Sequence, residues 1–414
     1  MPLSRRYLLG AGAAALALPG TLAASTRARA AARPKIKIGV LVDMSGTYSA
    51  DTGPTSVACV KEAAREFAAH AAFDIEVVAG DHQNKPDVGA AIARQWYDQG
   101  GVDVIVDVPD SAVGLAVSTI SREKNKVFLD SGSGAAVIFG KQCSPNTVDW
   151  TYDTWMLANS TGGAMVHQGG DSWYFLTADY VFGRALEHDT TALIKAAGGK
   201  VLGASRYPFP ETTDFSTFLV AAQSSGAKVL GLANAGGDTQ NCIKQAHEFG
   251  LSKTMRIAAL LLETNDVHAL GLEVAQGIYY TESFYWDANA RTRAWTKRVI
   301  PTTKDHAYPN MGQAGDYAAS LHYLKAVASL GAAAAKADGR AVVARMKAMP
   351  TEDDCFGKGS IREDGRALHP VYLLQAKTPK ESKGGWDMAK IVHITPADQA
   401  WRPMSEGGCP LVKA

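Results

Sequence analysis

The sequence predicts an α/β protein made of two doubly wound units, and three observations support this. Short β-branched runs alternate with longer amphipathic runs from Lys35 onward. The same alternation starts again at Ser172, after a break near 145–160. The roughly 384 residues after residue 30 suit two domains better than one. A βαβ alternation of this kind requires mostly parallel sheets that are covered by helices on both faces.

In the first unit, short apolar strands are followed by helices with one apolar face. The first strand is Lys35–Val42, which ends in the polar turn after Asp43. A period of 3.6 residues over 55–68 places Val57, Val60 and Phe67 on one side of a helix. The pattern further along predicts strands at 73–79, 102–108 and 126–129, and helices at 87–97 and 112–123.

The second unit repeats this alternation, with glycine where a helix ends. A strand at 172–176 precedes a helix at 181–197, which stops before Gly198 and Gly199. The elements predicted next are strands at 200–206, 228–232 and 256–261, and helices at 215–224 and 239–249. A strand at 277–285 leads out of the unit. The helices predicted after it lie at 291–299, 313–335 and 340–349. The last predicted strands lie at 360–362, 371–375 and 390–394.

The first 30 residues have the pattern of a twin-arginine export signal. Arg5 and Arg6 precede an apolar run over 10–24, and Ala28-Arg29-Ala30 is a small-residue cleavage site. The apolar run is shorter than the roughly 20 residues that a membrane-spanning helix needs. No cysteine follows it for lipid attachment. We therefore expect cleavage near Ala30 and a protein that is free in the periplasm.

Composition argues against several classes of partner and cofactor. Without the four arginines of the signal, the chain has 38 basic and 41 acidic side chains, a formal net charge of −3. Nucleic-acid binding needs clustered positive charge, which is absent, so no nucleic-acid partner is expected. The five cysteines are scattered and lack zinc-site spacing. One or two disulfides are plausible in an oxidising compartment, and a Cys143–Cys409 bond would attach the C-terminus, but spacing alone leaves the connectivity open.

The familiar signatures of catalysis and cofactor binding are missing. Gly132-Ser133-Gly134 starts a dinucleotide fingerprint, but Val137 stands where its third glycine belongs. There is no phosphate-binding loop, no nucleophile elbow and no zinc-protease motif. We therefore expect a protein that is not an enzyme and that has no cofactor and no metal.

Ligands of open α/β sheets bind at the carboxyl ends of the strands, so the loops there are the candidate site. In the first unit these loops contain neutral hydrogen-bonding groups and small residues. In the second unit they add aromatic and acidic side chains. The candidate binding residues are Ser111, Ser131, Gly132, Ser133, Tyr180, Asn234, Asp238, Glu263 and Tyr285. Ser111 lies just before a helix, where it can cap the helix and also help to bind a carboxylate.

Five stretches in order resemble a known family. They are 38–41 with Met44-Ser45-Gly46, Ala178-Asp179-Tyr180-Val181-Phe182-Gly183, Thr213-Asp214-Phe215-Ser216, Gly236-Gly237-Asp238 and 280–286. Together they resemble the type I periplasmic binding proteins, in the branched-chain amino-acid (Leu/Ile/Val-binding) branch of ABC-transporter substrate-binding proteins. The likeness covers roughly 35–414. Each stretch alone is a weak signal, and none of them identifies the ligand.

The resemblance implies two lobes joined by three hinge strands, with the ligand trapped between them. Lobe 1 would take 33–150 plus 282–358, and lobe 2 would take 151–281 plus 359–414. A ligand carboxylate would be held near Ser111 and Ser131 to Ser133, and Tyr180 would close over it. Asp238 and Glu263 are the candidates for an amino group. The implied partners are a small-molecule ligand and the membrane permease of an ABC importer, and the protein is expected to be a monomer.

The chain also departs from the amino-acid binders. Asp110-Ser111-Ala112-Val113 is poorer in hydroxyls than the Ser/Thr run that they carry, and we expect Asp110 to face outward. Asp179 and Asp214 are expected to cap helices. Five aromatic residues lie near the expected cleft or the crossings between the lobes, and two of the five are expected to touch ligand. The five are Trp150, Tyr152, Tyr180, Tyr285 and Trp286. Aromatic walls make an aromatic acid a rival to an amino acid.

The predicted function is therefore capture of a small carboxylate-bearing solute by hinge closure. The solute would be a branched-chain or other hydrophobic amino acid, or an aromatic acid. Alternatives are a ligand-sensing receptor of the same fold and an exported enzyme.

Overall fold

The first parallel sheet is built from the N-terminal part of the chain. A computed structural model describes residues 33–413, so the predicted export signal lies outside the described residues. The five strands have the order β2-β1-β3-β4-β5, and every neighbouring pair is parallel. Their bounds are β1 Lys35–Val42, β2 Asp74–Asp81, β3 Val104–Asp107, β4 Val127–Asp130 and β5 Thr147–Asp149.

Helices cover both faces of this sheet. They are α1 Gly53–Ala68, α2 Pro86–Gln95 and α3 Ser111–Glu123, together with α12 Met311–Leu330, which returns from much later in the chain. Val104 and Val106 of β3 face α1 and α12, whereas Ile105 faces α2 and α3. Because both faces are buried, the central strands β3 and β4 are apolar up to the aspartate that ends each of them, as expected of a doubly wound sheet. The helix predicted at 313–335 breaks at Gly331, whose φ is +84°, and α13 Ala332–Ala337 follows.

The second parallel sheet has four strands in the order β7-β6-β8-β9. The strands are β6 Ser172–Ala178, β7 Lys200–Tyr207, β8 Val229–Ala233 and β9 Arg256–Ala259. Its helices are α6 Val181–Ala196, α7 Ser216–Ser224, α8 Gly236–Glu248, α9 Thr264–Leu270 and α10 Leu272–Ala275. The predicted α/β class with two doubly wound lobes is confirmed.

Two small antiparallel sheets complete the described chain. One joins β10 Tyr279–Glu282, β14 Val371–Ala376 and β15 Ala389–Thr395, and the other joins β11 Thr351–Asp353, β12 Gly357–Ile361 and β13 Ala367–Leu368. The remaining α-helices are α4 Thr154–Leu157, α5 Gly163–His167, α11 Ala290–Val299, α14 Gly339–Ala348 and α15 Met404–Gly407. Within residues 33–413, no helix is long and apolar enough to cross a membrane.

The segment 359–414, predicted to belong to lobe 2, divides its contacts between the lobes. Strand β14 pairs with β10 on one side and with β15 on the other, and both β14 and β15 pack in the second lobe's core. Arg366, in contrast, forms ion pairs with Asp149 and Asp153 near the end of the first sheet. A disulfide joins Cys143 to Cys409, 266 positions later, so the tail is attached beside the first sheet. The three remaining cysteines are buried and unpaired.

Candidate ligand-binding cleft

A single cleft lies where the carboxyl ends of the two parallel sheets face each other. The first lobe lines it with loops that follow β1, β3, β4 and β5, and with the start of α12. The second lobe lines it with loops that follow β6, β8 and β9. The lining residues are Tyr48, Asp51, Thr52, Pro109, Ser131, Gly132, Tyr152, Tyr180, Phe182, Ala235, Gly236, Leu261, Glu263, Asp266 and Gly312. This is the position that open α/β sheets use for ligands.

The cleft is narrow. The cavity between the lobes has a volume of about 30 Å³. One water needs roughly 10–15 Å³ of such a cavity, so it holds about two waters. A solute larger than that enters only if the lobes move apart.

Three buried carboxyl groups line the cleft. Asp51 accepts a hydrogen bond from Asn265 Nδ2 at 2.7 Å, across the two lobes. Glu263 accepts from Asn310 Nδ2, and it forms a reciprocal capping box with Asp266 at the start of α9. Among residues 33–413, no group of three or more metal-binding side chains is arranged to hold an ion. The three carboxyls form an acidic lining of the cleft.

Burial raises the pKa of all three carboxyl groups. The pKa of Glu263 lies well above its usual value, first because of desolvation and then because of the charge of Asp51. The pKa of Asp51 is also well raised, by desolvation and by neighbouring Asp266. Desolvation likewise raises the pKa of Asp266. A positive charge in the cleft would favour the ionised forms of these groups.

Aromatic rings form the other walls. The hydroxyls of Tyr48 and Tyr180, from opposite lobes, lie 2.6 Å apart and share a hydrogen bond. Phe209 stacks on Tyr180 with ring centroids 4.3 Å apart, and on Tyr48 at 5.5 Å. Tyr152 donates to the Gly132 carbonyl at 2.6 Å, which fixes its ring beside Phe182. The rings of both lobes thus meet over the cleft.

Backbone and side-chain bonds also join the lobes at the cleft rim. Gly237 N donates to the Thr47 carbonyl at 2.9 Å. Thr47 Oγ1 donates to Asp238 Oδ1 at 3.0 Å and accepts from Asp238 N at 3.1 Å. Asn265 Nδ2 donates to the Ala50 carbonyl at 2.9 Å. These contacts hold the loop after β1 against the starts of α8 and α9.

Four of the nine predicted binding residues line the cleft: Ser131, Gly132, Tyr180 and Glu263. The structure does not bring the other five to its lining. Ser111 Oγ accepts from Ala135 N, and Ser133 Oγ donates to the Val108 carbonyl. Asn234 bonds Thr239 and Cys242, Asp238 bonds Thr47 and Tyr207, and Tyr285 donates to the Ala389 carbonyl. Of the five aromatic candidates, Tyr152 and Tyr180 line the cleft, whereas Trp150 is buried between His322 and His369.

Two predictions about aspartates were wrong. Asp110 faces inward and is 2% exposed, because its carboxylate accepts from Ala112 N and Val113 N as the N-cap of α3. Asp179 does not cap α6 and instead pairs with Arg184 at 2.6 Å. Asp214 accepts from Ser216 N at the start of α7, so its predicted capping role is confirmed.

Sequence reasoning missed Tyr48, Asp51 and Asp266 as cleft residues. Asp51 lies in the irregular turn between β1 and α1, where an aspartate also suits a helix start. Asp266 follows Glu263 by three positions, which is the spacing of a capping box. That spacing is the signal that could have linked the two carboxyl groups.

The comparisons with known proteins agree with this architecture. The family model described as periplasmic binding protein matches residues 35–385. A crystal structure of a periplasmic binding protein from Burkholderia mallei is 46% identical, with a TM-score of 0.87, and the match covers 92% of this chain and 99% of that one. None of the curated proteins matches the chain.

A second crystal structure carries a more specific description. It is a branched-chain amino acid ABC transporter periplasmic ligand-binding protein from Burkholderia xenovorans, 35% identical with a TM-score of 0.78. That match covers 91% of this chain and 99% of the other. A solute-binding protein from R. palustris in complex with benzoate is 20% identical, with a TM-score of 0.77 and coverage of 88% and 97%, and shares the fold. The chain belongs to the periplasmic binding protein family of ABC-transporter solute-binding proteins.

Proposed function

We propose that the protein captures a small organic solute between its lobes and delivers it to the membrane permease of an ABC importer. The observation that carries this proposal is the cleft itself, which both lobes line with strand-end loops. The role includes no catalytic step, in keeping with a lining that has no histidine or cysteine among its described residues. The twin-arginine pattern of residues 5–30 supports export to the periplasm before the protein acts.

Hinge closure is the proposed mechanism. The Tyr48–Tyr180 and Thr47–Asp238 contacts are possible only while the lobes are together. The narrow cleft admits a solute only from an open form, and contacts from both lobes then favour the closed form. The strand-like crossings between the lobes, including β10 and the segment before β14, would carry the rotation.

The proposed ligand class begins with a hydrophobic amino acid. The 35%-identical relative is described as the periplasmic ligand-binding protein of a branched-chain amino acid ABC transporter. The Asp51 and Glu263 carboxyls can hold an ammonium group, and Phe182 and Leu261 provide apolar wall. An aromatic acid is the second candidate ligand, because the rings of Tyr152 and Tyr180 provide aromatic walls for it.

Ligand capture is tested by thermal stability. The exported protein is unfolded and refolded to remove bound solute, then heated with branched-chain and aromatic amino acids, benzoate-type acids, short amides, dicarboxylates, and alkyl and aryl amines. A ligand at 100 times its Kd stabilises the folded state by about 2.7 kcal/mol through mass action. We expect at least one class to raise the melting temperature. A flat response to the whole panel would contradict the proposed function.

Substitution of Gly236 by alanine is expected to weaken ligand binding at least tenfold. A methyl group there would lie 2.5 Å from the Thr47 carbonyl oxygen of the other lobe, so it opposes closure. Gly236 also has a φ of +55°, a left-handed backbone conformation that an alanine adopts at a cost of about 1 kcal/mol. The control is Gly198→Ala, because Gly198 has a φ of +80° and no neighbour within 4 Å. Equal affinities of the two variants in calorimetry would count against closure at this contact.

A further inference from the structure

The first lobe supplies its own carboxylates where a ligand carboxylate was expected. The start of α3 is the natural anion site of this lobe, since its free N–H groups attract negative charge. Asp110 already occupies it, accepting from Ala112 N at 2.7 Å and Val113 N at 2.9 Å. In the neighbouring loop, Asp130 accepts from Ser133 N at 2.8 Å. Both sets of donors are therefore occupied before any ligand arrives.

The serine hydroxyls predicted to assist are engaged as well. Ser111 Oγ is bonded to Ala135 N at 3.1 Å, and Ser133 Oγ donates to the Val108 carbonyl at 2.6 Å. Both residues are 1% exposed or less, and neither lines the cleft. An entering carboxylate thus finds no free donor among these groups.

The titratable side chains that line the cleft include three acids and no base. Asp51, Glu263 and Asp266 contribute carboxyl groups, and the described lining residues include no lysine, arginine or histidine. A carboxylate placed here would find no cation to balance it. A cation would favour the ionised forms of the three carboxyl groups and pair with them.

Two further observations point to a cation. The rings of Tyr48, Tyr152, Tyr180 and Phe182 surround the same space, and aromatic faces attract cationic nitrogen. The Ser131 hydroxyl lines the cleft, is 1% exposed and acts as a hydrogen-bond donor towards the buried Asp316 carboxyl. Its oxygen is left to accept a hydrogen bond from an ammonium or amidinium group.

We propose that the ligand is a small organic cation, an amine or amidine without a carboxylate, whose nitrogen pairs with Asp51 of the first lobe and Glu263 of the second. This inference rests on the proposed solute-capture function and replaces the amino acid and the aromatic acid considered above with a cation that lacks the carboxylate. Asn310 Nδ2 bonds both the Asp51 carbonyl and the Glu263 carboxyl, so it holds the two residues side by side. Ion pairing from both lobes would make the cation the group that favours closure.

Matched ligands test the proposal. Calorimetry on the refolded exported protein compares 3-methylbutylamine, leucine and 4-methylpentanoate, which share an alkyl chain and differ in charge. A second series compares phenethylamine, phenylalanine and 3-phenylpropanoate. The amines are expected to bind at least tenfold more tightly than the amino acids, and the acids are expected not to bind. Tighter binding of an amino acid or an acid would overturn the cation while leaving solute capture intact, whereas no binding in either series would count against both.

Variants locate the cation. Glu263→Gln and Asp51→Asn keep side-chain size and are each expected to weaken amine binding at least tenfold. Asp353→Asn is the control. Asp353 is a buried acid away from the cleft, and its carboxylate accepts hydrogen bonds from Cys355 N and Phe356 N. The melting temperature of each ligand-free variant shows whether it is folded, and the two cleft variants come from different lobes. Unchanged amine affinity in a folded Glu263→Gln or Asp51→Asn protein would overturn the assignment.

Discussion

Replacing Arg366 by methionine is expected to lower the free energy of unfolding by about 3–5 kcal/mol, because a buried ion pair that loses one partner leaves an uncompensated charge. Arg366 is 1% exposed. Its guanidinium pairs with Asp149 and, at 2.8 Å, with Asp153, and it lies over the rings of Phe139 and Trp401. Urea unfolding followed by circular dichroism at pH 7 measures the loss.

The control and the pH dependence make this prediction specific. Arg184→Met removes an exposed pair with Asp179 and should cost less than about 1 kcal/mol. Burial raises the pKa of Asp149, and Arg366 opposes that rise. Without Arg366 the pKa of Asp149 rises further, so the variant loses stability relative to the wild type above the pKa that Asp149 has in the folded wild type, and the loss grows as pH rises beyond it. Arg366→Met should therefore be more damaging at pH 8 than at pH 5, and similar losses for both arginines would contradict the argument.

Removing the Cys143–Cys409 disulfide should cost about 4 kcal/mol. The bond closes a loop of 266 positions, and long loops lose the most unfolded-state entropy when they are closed. The experiment compares urea unfolding of the wild type with and without a reductant, and of the Cys143→Ser/Cys409→Ser double variant. We expect reductant to destabilise the wild type to the level of the variant and to leave the variant unchanged. If the reductant leaves the unfolding of the wild type unchanged, the attached C-terminal tail contributes little to the free energy of unfolding.

The fold was predictable because hydrophobic periodicity is a local property of the chain. β3 is a run of three apolar residues before its final aspartate, and α1 shows a clear 3.6-residue stripe, so both were found from the sequence. Ser131 and Glu263 were also predictable as cleft residues, because parallel strands bring their carboxyl ends to one edge. The break at Gly331 was missed because the apolar run continues through it.

Much of the cleft depends on contacts that the sequence does not display. Asp51 becomes a cleft residue because Asn265 and Asn310, more than 200 positions away, hold its turn in place. Asp110 was expected in solvent, since an isolated aspartate is costly to bury, but two backbone N–H groups offset that cost. To predict such compensation, one must know at which residue each helix begins.

The direct contacts between the lobes bear on how fast a solute is captured. The Tyr48–Tyr180 hydrogen bond joins the protein's own side chains, so it stabilises the closed lobes with or without a solute between them, and a solute enters only while the lobes are apart. A weaker contact leaves a larger open fraction, and it also removes stabilisation from the closed, loaded form. Loosening the tyrosine contact would therefore raise both the association rate and the release rate, so that faster uptake would be accompanied by weaker retention.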